Sequence, residues 1–330
     1  MLLITPAEWA PQERLWIGFP GDSGEWPVKL DDAQRQAAAF ANVVAEHGQP
    51  VTLVARTEGD ASLARSLVSS GVEILHESFG DIWLRDTGPI GLVDPAGKRA
   101  LSDFGFNGWG GKFEMEGDQD IGARLAASTS LPRIRYDWIL EGGAIDTDGT
   151  GLFVTTEQCL LNPNRNPALD RRQIETLLAG ALGLSQLLWL GDGLVNDHTD
   201  GHVDNLARFV APGLIAIPHA STADDLNAAI FADAADRARA FGLEVAPLPS
   251  VGRYEIDGAI VPASYMNFCI TNGAVIVPQY GAPNDAAACN ALAPLFPGRA
   301  IVGLPSDALL RGGGSFHCMS QQLPAAPSAS

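Results

Sequence analysis

Cysteine is scarce in this chain: four residues in 330, none in a CxxC pair. Without that spacing they are too scattered for a zinc ribbon or a disulfide framework, so all four are expected as reduced thiols. Basic charge is in deficit as well, 21 Lys and Arg against 39 Asp and Glu, for a formal charge of −18. Such a surface repels nucleic acid and anionic membranes, which excludes both as partners and is compatible with a small cationic one. No apolar run approaches the roughly 18 residues of a membrane span. The opening MLLITPAEWAPQERLW is broken by proline and acidic residues where a secretory peptide needs an unbroken apolar stretch, so a cytoplasmic protein is expected. No low-complexity linker divides the sequence. Residues 1–322 are therefore expected as a single catalytic domain, and 323–330, LPAAPSAS, as a flexible tail.

What is present is a 46% hydrophobic composition, ample for a large core. Apolar runs predict strands at 14–19, 51–55, 72–76, 88–93, 152–155, 206–217, 266–278 and 299–304. Alanine- and leucine-rich stretches predict helices at 31–46, 59–69, 118–128, 168–182, 223–240 and 284–293. Five polar or glycine-rich stretches punctuate these elements: WLRDTGPI (83–90), EGGAIDTDG (141–149), TDGHVDNLARF (199–209), ASYMNF (263–268) and GGGSFHC (312–318). If each marks the same point in a repeated strand-helix unit, the five converge on one axis and frame a central site.

Those stretches hold the residues capable of chemistry. Cys318 follows three glycines and adjoins His317, which suits a thiol presented into a tight pocket, although a free cysteine on a terminal strand reads the same way. Cys159, Cys269 and Cys289 sit in apolar or alanine-rich surroundings and are expected as buried small hydrophobes. His202 and Asp204, two apart, share a face of an extended segment. Three readings stand for them: metal ligands with His198 as a further donor, an inert polar loop, or an acid/base beside a cation-binding carboxylate. Asp86 reads equally as a turn cap, Glu141 as a surface charge and Trp83 as core. Taken together, a thiol, an imidazole, several carboxylates and an aromatic plane suit a guanidinium group, whose planar donors match carboxylates and whose charge an aromatic face can cover.

The chain resembles the agmatine deiminase and bacterial (Porphyromonas-type) peptidylarginine deiminase family. The resemblance lies in DIWLRDTGPI (81–90), FGFNGWGG (104–111), LEGGAIDTDG (140–149), CLLNPNRNP (159–167), TDGHVDNLARF, YMNFCITNGAVIVPQYG (265–281) and GGGSFHCMSQQ, in the family's order from about residue 13 to 322. It implies an α/β fold, the pentein propeller of five ββαβ units with pseudo-fivefold symmetry around a central active site. It implies hydrolysis of agmatine to N-carbamoylputrescine and ammonia, in putrescine biosynthesis, with neither metal nor organic cofactor. By motif, Cys318 matches the family nucleophile, His202 the general acid/base, and Asp86 and Asp204 the catalytic carboxylates that bind the guanidinium. Glu141 matches the acidic residue that supports His202 or substrate, and Trp83 the tryptophan near the guanidinium plane. One departure bears on substrate: this chain reads TDGHVDNLARF where agmatine deiminases read TNGHVDN followed by small or cysteine residues, which leaves free arginine and peptidylarginine as alternatives. Arg208 shares the face of Asp204 and is the residue that would meet a substrate carboxylate; Arg85 should point away from Asp86. A metal-dependent hydrolase and an inactive polyamine-binding protein are the rival readings. The oligomeric state stays open, with a homo-oligomer among the options.

Overall fold

The structure is a computed structural model, and it describes residues 3–21, 24, 26 and 28–327. Val51–Ala55 is buried at all five positions, as a strand covered on both faces must be. It runs parallel to Gln12–Gly18 on one side and to Val72–His76 on the other. Parallel neighbours need crossovers, and the helices Leu30–Glu46 and Glu58–Leu67 supply them. The first buries Ala33, Ala37, Phe40, Ala41 and Val44, a stripe at helical spacing. The second starts where Thr57 accepts a hydrogen bond from the Asp60 amide, an N-cap.

The rest of the chain repeats one pattern: two antiparallel strands, a helical crossover, and a third strand parallel to the second. Ile90–Val93, Arg99–Gly105 and Arg133–Ile139 form one sheet. Ile145–Thr147, Leu152–Thr156 and Gln186–Leu190 form the next. Arg208–Ala211, Leu214–His219 and Glu244–Pro249 follow, then Cys269–Ile270, Ala274–Gln279 and Ala300–Pro305. The first sheet follows the same rule with one strand more: Ser320–Pro324, from the other end of the chain, pairs antiparallel with Gln12–Gly18, Val51–Ala55 follows the first crossover, and Val72–His76 is added after a second. These are the five ββαβ units of the pentein fold. In every unit the last strand leads into one of the polar stretches, which therefore all emerge at the same end of their sheets.

Strands 51–55 and 72–76 are found with the expected bounds. The runs 206–217 and 266–278 are instead two strands each, reversed at Gly213, whose φ is +72°, and at a turn where Thr271 Oγ1 and the Ala274 backbone bond to each other. A continuous apolar run carries no mark of reversal when both arms are buried. Arg133–Ile139 escapes sequence reading because it is an edge strand whose charged residues face outward. The helix expected from 223 begins at Ala228. Of the residues expected as tail, Leu323 and Pro324 instead belong to the strand Ser320–Pro324, where Leu323 is fully buried and Arg99 Nη1 donates to the Pro324 carbonyl at 2.9 Å; residues 328–330 lie outside the described ones. Cys159 and Cys269 are buried as expected, Cys289 only in part. No helix among the described residues is long and apolar enough to cross a membrane.

Candidate active site

Glycine makes the site possible. A Cβ on Gly314 would lie 2.7 Å from the Trp83 ring and 3.0 Å from Cys318 Cβ, so only a bare backbone lets Trp83 close over the thiol. A Cβ on Gly143 would lie 2.7 Å from His202 Nδ1, 2.8 Å from Asp86 Oδ1 and 3.2 Å from Asp204 Oδ2. Three functional groups from two polar stretches therefore converge on one glycine of a third.

Cys318 is nearly buried. Asn267 clamps it, donating from Nδ2 to Sγ at 2.9 Å while its Oδ1 accepts from the Cys318 amide at 3.2 Å. Sγ lies 3.5 Å from Asp204 Oδ2. Burial pushes the thiol well above its usual range, and the charges of Asp204 and Asp86 push the same way, so at rest it is protonated. Asp204, fully buried, also accepts from His317 Nδ1 at 2.7 Å. Burial alone would raise its pKa, but the hydrogen bond and charge of His317 outweigh that and hold it low.

Asp86 goes the other way. Its Oδ2 accepts from Trp109 Nε1 and its Oδ1 from the Gly143 amide, both at 2.9 Å. These neutral donors are overcome by burial and by the neighbouring Asp204 and Glu141, which hold its pKa well above the ordinary carboxyl range. His202 is fully buried, with Nδ1 3.6 Å from Asp86 Oδ1 and Nε2 4.0 Å from Glu141 Oε2. Burial pushes it down to about 3, so the resting imidazole is neutral. Glu141 is raised by burial, against the pull of Arg165, which donates from Nε to Oε1 at 2.7 Å. Arg165 Nη1 reaches Asp200 Oδ2 at 2.5 Å, and Lys112 Nζ reaches Asp200 Oδ1 at 2.6 Å. Asp200, the departure from the asparagine pattern, thus has two cations to balance it.

A cavity of about 240 Å³ opens above these groups, its wall including Trp83, Asp86, Trp109, Phe113, Arg311 and Cys318. His202, Asp204 and Glu141 form a fully buried layer beside that wall. All six sequence-expected residues are brought together. Arg85 points away from them, donating to Gln321 Oε1 at 2.8 Å. Arg208 does not reach the cavity: it is fully buried, paired with Glu8, 3.4 Å from Asp146 Oδ2, and donates to the Phe268 carbonyl at 2.9 Å. His198, the extra ligand of the metal reading, is exposed at the mouth beside Phe113, with ring centroids 5.9 Å apart. The one group among the described residues with metal-ligand spacing is Glu141, Cys159 and His202, where the Arg165 guanidinium already occupies a Glu141 oxygen.

Sequence reading missed Asn267, Trp109 and Glu8. Asn267 was within reach, because each of the other four converging stretches supplies a site residue and ASYMNF should too. Glu8 carries no local signal.

The chain matches the family of Porphyromonas-type peptidyl-arginine deiminases over residues 4–324. It is 36% identical to an agmatine deiminase of Pseudomonas putida, across 97% of this chain and 95% of that one. Among solved structures, the agmatine deiminase of Enterococcus faecalis superposes with a TM-score of 0.92 at 31% identity, covering 98% and 96% of the two chains. A cysteine-to-serine variant of C. jejuni agmatine deiminase with substrate bound gives a TM-score of 0.91 at 32% identity, covering 98% and 97%.

Proposed function

This chain belongs to the Porphyromonas-type peptidyl-arginine deiminase family, and from that membership we propose that it hydrolyses agmatine to N-carbamoylputrescine and ammonia, with Cys318 as nucleophile. The observation that carries the reading is the placement of one thiol 3.5 Å from the ionised Asp204, on a cavity wall shared with Asp86 and Trp83. Asp204 holds the guanidinium by charge-assisted hydrogen bonds, Asp86 joins it as the arriving cation draws off its proton, and Trp83 covers the plane. The bound cation offsets the two carboxylates that oppose thiolate formation, so Cys318 ionises in the complex rather than in the free enzyme.

Cys318 gives its proton to the neutral His202, and the thiolate so formed attacks the guanidinium carbon. The resulting imidazolium returns that proton to the departing amino group, ammonia leaves, and an S-alkylthiouronium remains. His202, neutral again, takes a proton from water as the water adds to the thiouronium carbon. Collapse of that adduct forms the ureido carbonyl and expels the thiolate; His202 returns its proton to the thiolate, and the hydroxyl proton leaves to solvent, where it converts the released ammonia to ammonium. Glu141, with Oε2 facing His202, stabilises the imidazolium each time it forms. No step calls for a metal or an organic cofactor, and the reading accords with a cytoplasmic role in putrescine biosynthesis.

Agmatine is favoured by its relatives' activity and by the engagement of Arg208 elsewhere. Arg311 favours a second reading, free or peptidyl arginine: it stands on the cavity wall, and a substrate carboxylate would compete there with Asp257, whose Oδ2 is 2.6 Å from Arg311 Nη1. Steady-state comparison of agmatine, arginine and a peptidylarginine, scored for ureido product and ammonia, tests both. The first reading requires the highest kcat/KM for agmatine. A preference for either arginine substrate overturns the substrate and leaves the chemistry, whereas activity in Cys318→Ser overturns the chemistry.

A further inference from the structure

Behind the thiol, the imidazole of His317 lies between two carboxylates. Its Nδ1 is 2.7 Å from Asp204 Oδ2 and its Nε2 is 3.1 Å from Glu8 Oε2. A neutral imidazole has one N–H and can donate to only one of them, whereas an imidazolium donates to both. All three side chains are buried, and Glu8 is fixed in turn by Arg208 and by the Ile270 amide, which donates to Oε1 at 2.7 Å. Arg208, Glu8, His317 and Asp204 make a continuous line of contacts that runs from the core to within 3.5 Å of Sγ.

Asp86 and Asp204 are neighbours in a dry site, where two carboxylates cannot both ionise cheaply. Their partners decide which one does. Asp86 meets an indole N–H and an amide N–H, both neutral, whereas Asp204 meets an imidazole held between two carboxylates. The second oxygen of Asp204, Oδ1, is buried with no hydrogen-bond partner among the described residues, as befits an acceptor reserved for a substrate N–H.

We propose that His317 is a positioning residue of the deiminase reaction, a fixed imidazolium that keeps Asp204 ionised and aimed at the cavity, so that the guanidinium meets one ready carboxylate. The proposal rests on the guanidinium-deiminase reading of this site. The opposite pKa shifts of Asp204 and Asp86 agree with it. The charged and titratable groups facing His317 are Asp204, Glu8 and Asp146, with Arg85 donating to its carbonyl. Those facing Asp204 are His317, Cys318, His202, Asp86, Asp197 and Arg208.

The test uses His317→Asn, which keeps a neutral donor and removes the charge, and Glu8→Gln, which weakens the imidazolium from its far side. Agmatine turnover is followed across pH after the unsubstituted enzyme has been shown to release ureido product. In His317→Asn the acid limb of kcat/KM should rise by about 1–3 pH units, the effect expected for losing an adjacent opposite charge. KM at neutral pH should rise more than kcat falls. Glu8→Gln should move the limb in the same direction by less. A purely structural His317 would lower the melting temperature and leave the limb where it was, and that result in both variants overturns the proposal. If His317→Asn does not fold, an unmoved limb in Glu8→Gln overturns it alone. If agmatine yields no ureido product, the functional reading fails. Infrared titration of the Asp204 carboxyl in the free protein, assigned with Asp204→Asn, then decides the charge-holding role: an unshifted band in the His317→Asn or Glu8→Gln protein overturns it.

Discussion

Gly143→Ala adds one methyl group at the point where the site is tightest. The new Cβ would stand 2.7 Å from His202 Nδ1 and 2.8 Å from Asp86 Oδ1, against the 3.4 Å at which ordinary contacts begin. Both groups must retreat by roughly half an ångström or more, because neither belongs to a long flexible side chain and both are walled in. Such overpacking costs about 1–3 kcal/mol of stability, which a large domain survives. Catalysis is less forgiving, since displacing reacting groups by about 1 Å costs on the order of 100-fold. The Gly143 amide also donates to Asp86 Oδ1 at 2.9 Å, so the acid that shifts is one proposed to hold substrate. The expected outcome is a folded protein whose kcat/KM for agmatine falls about 100-fold, measured by ureido product with the folded fraction fixed by circular dichroism. Gly180→Ala is the matched control. It sits on the exposed face of helix Arg171–Leu182 with nothing within 4 Å of its added Cβ, and it should stabilise by about 1 kcal/mol without touching activity. Wild-type kcat/KM in a folded Gly143→Ala would refute the claim that the three groups act from the geometry described.

Trp109→Phe removes the indole donor from Asp86 Oδ2 and keeps most of the ring; kcat/KM should drop by about 10-fold or more, the worth of a buried hydrogen bond to a group that must carry charge. Alkylation of Cys318 by iodoacetamide, followed by mass spectrometry of its peptide, should be slow at neutral pH and still climbing beyond the usual thiol midpoint of about 8.5, because its pKa is raised; a plateau reached below that midpoint would contradict the resting protonated thiol. Stability should fall as pH drops from about 6.5, the unfolded histidine value, toward about 3, the folded value for His202. Over that window the unfolded chain binds the proton that the buried ring refuses. Urea titrations of His202→Gln at several pH values should show a shallower loss, and an unchanged slope would count against the neutral buried imidazole.

Much of the site was legible because each residue sits in a short motif with its own physical oddity. Three glycines precede Cys318, a Gly-Gly pair follows Glu141, and Asp86 adjoins a Thr-Gly-Pro turn. The convergence itself was legible only as a repeat of polar stretches. What stayed hidden depends on distance along the chain. Glu8 meets Arg208 across 200 positions, and nothing around Glu8 distinguishes it from a surface carboxylate until both are buried together. His317 was visible as a neighbour of the thiol, but the two carboxylates that give it a charge come from two other segments. Among the strands, Val51–Ala55 declared itself by an apolar, β-branched-rich run, whereas Arg133–Ile139 alternates charge and apolar residues at a sheet edge and looks like loop.

The pairing of Ser320–Pro324 with Gln12–Gly18 has a consequence in time as well as in space. Cys318 is two residues from that closing strand, and its clamp, its carboxylate and the tryptophan over it all belong to other units. Joining segments so remote in sequence is the costliest and slowest kind of contact to form. The reactive thiol therefore acquires its surroundings only when the last strand docks beside the first. A chain still folding carries an ordinary cysteine, and a nearly complete ring is as inert as an unfolded one.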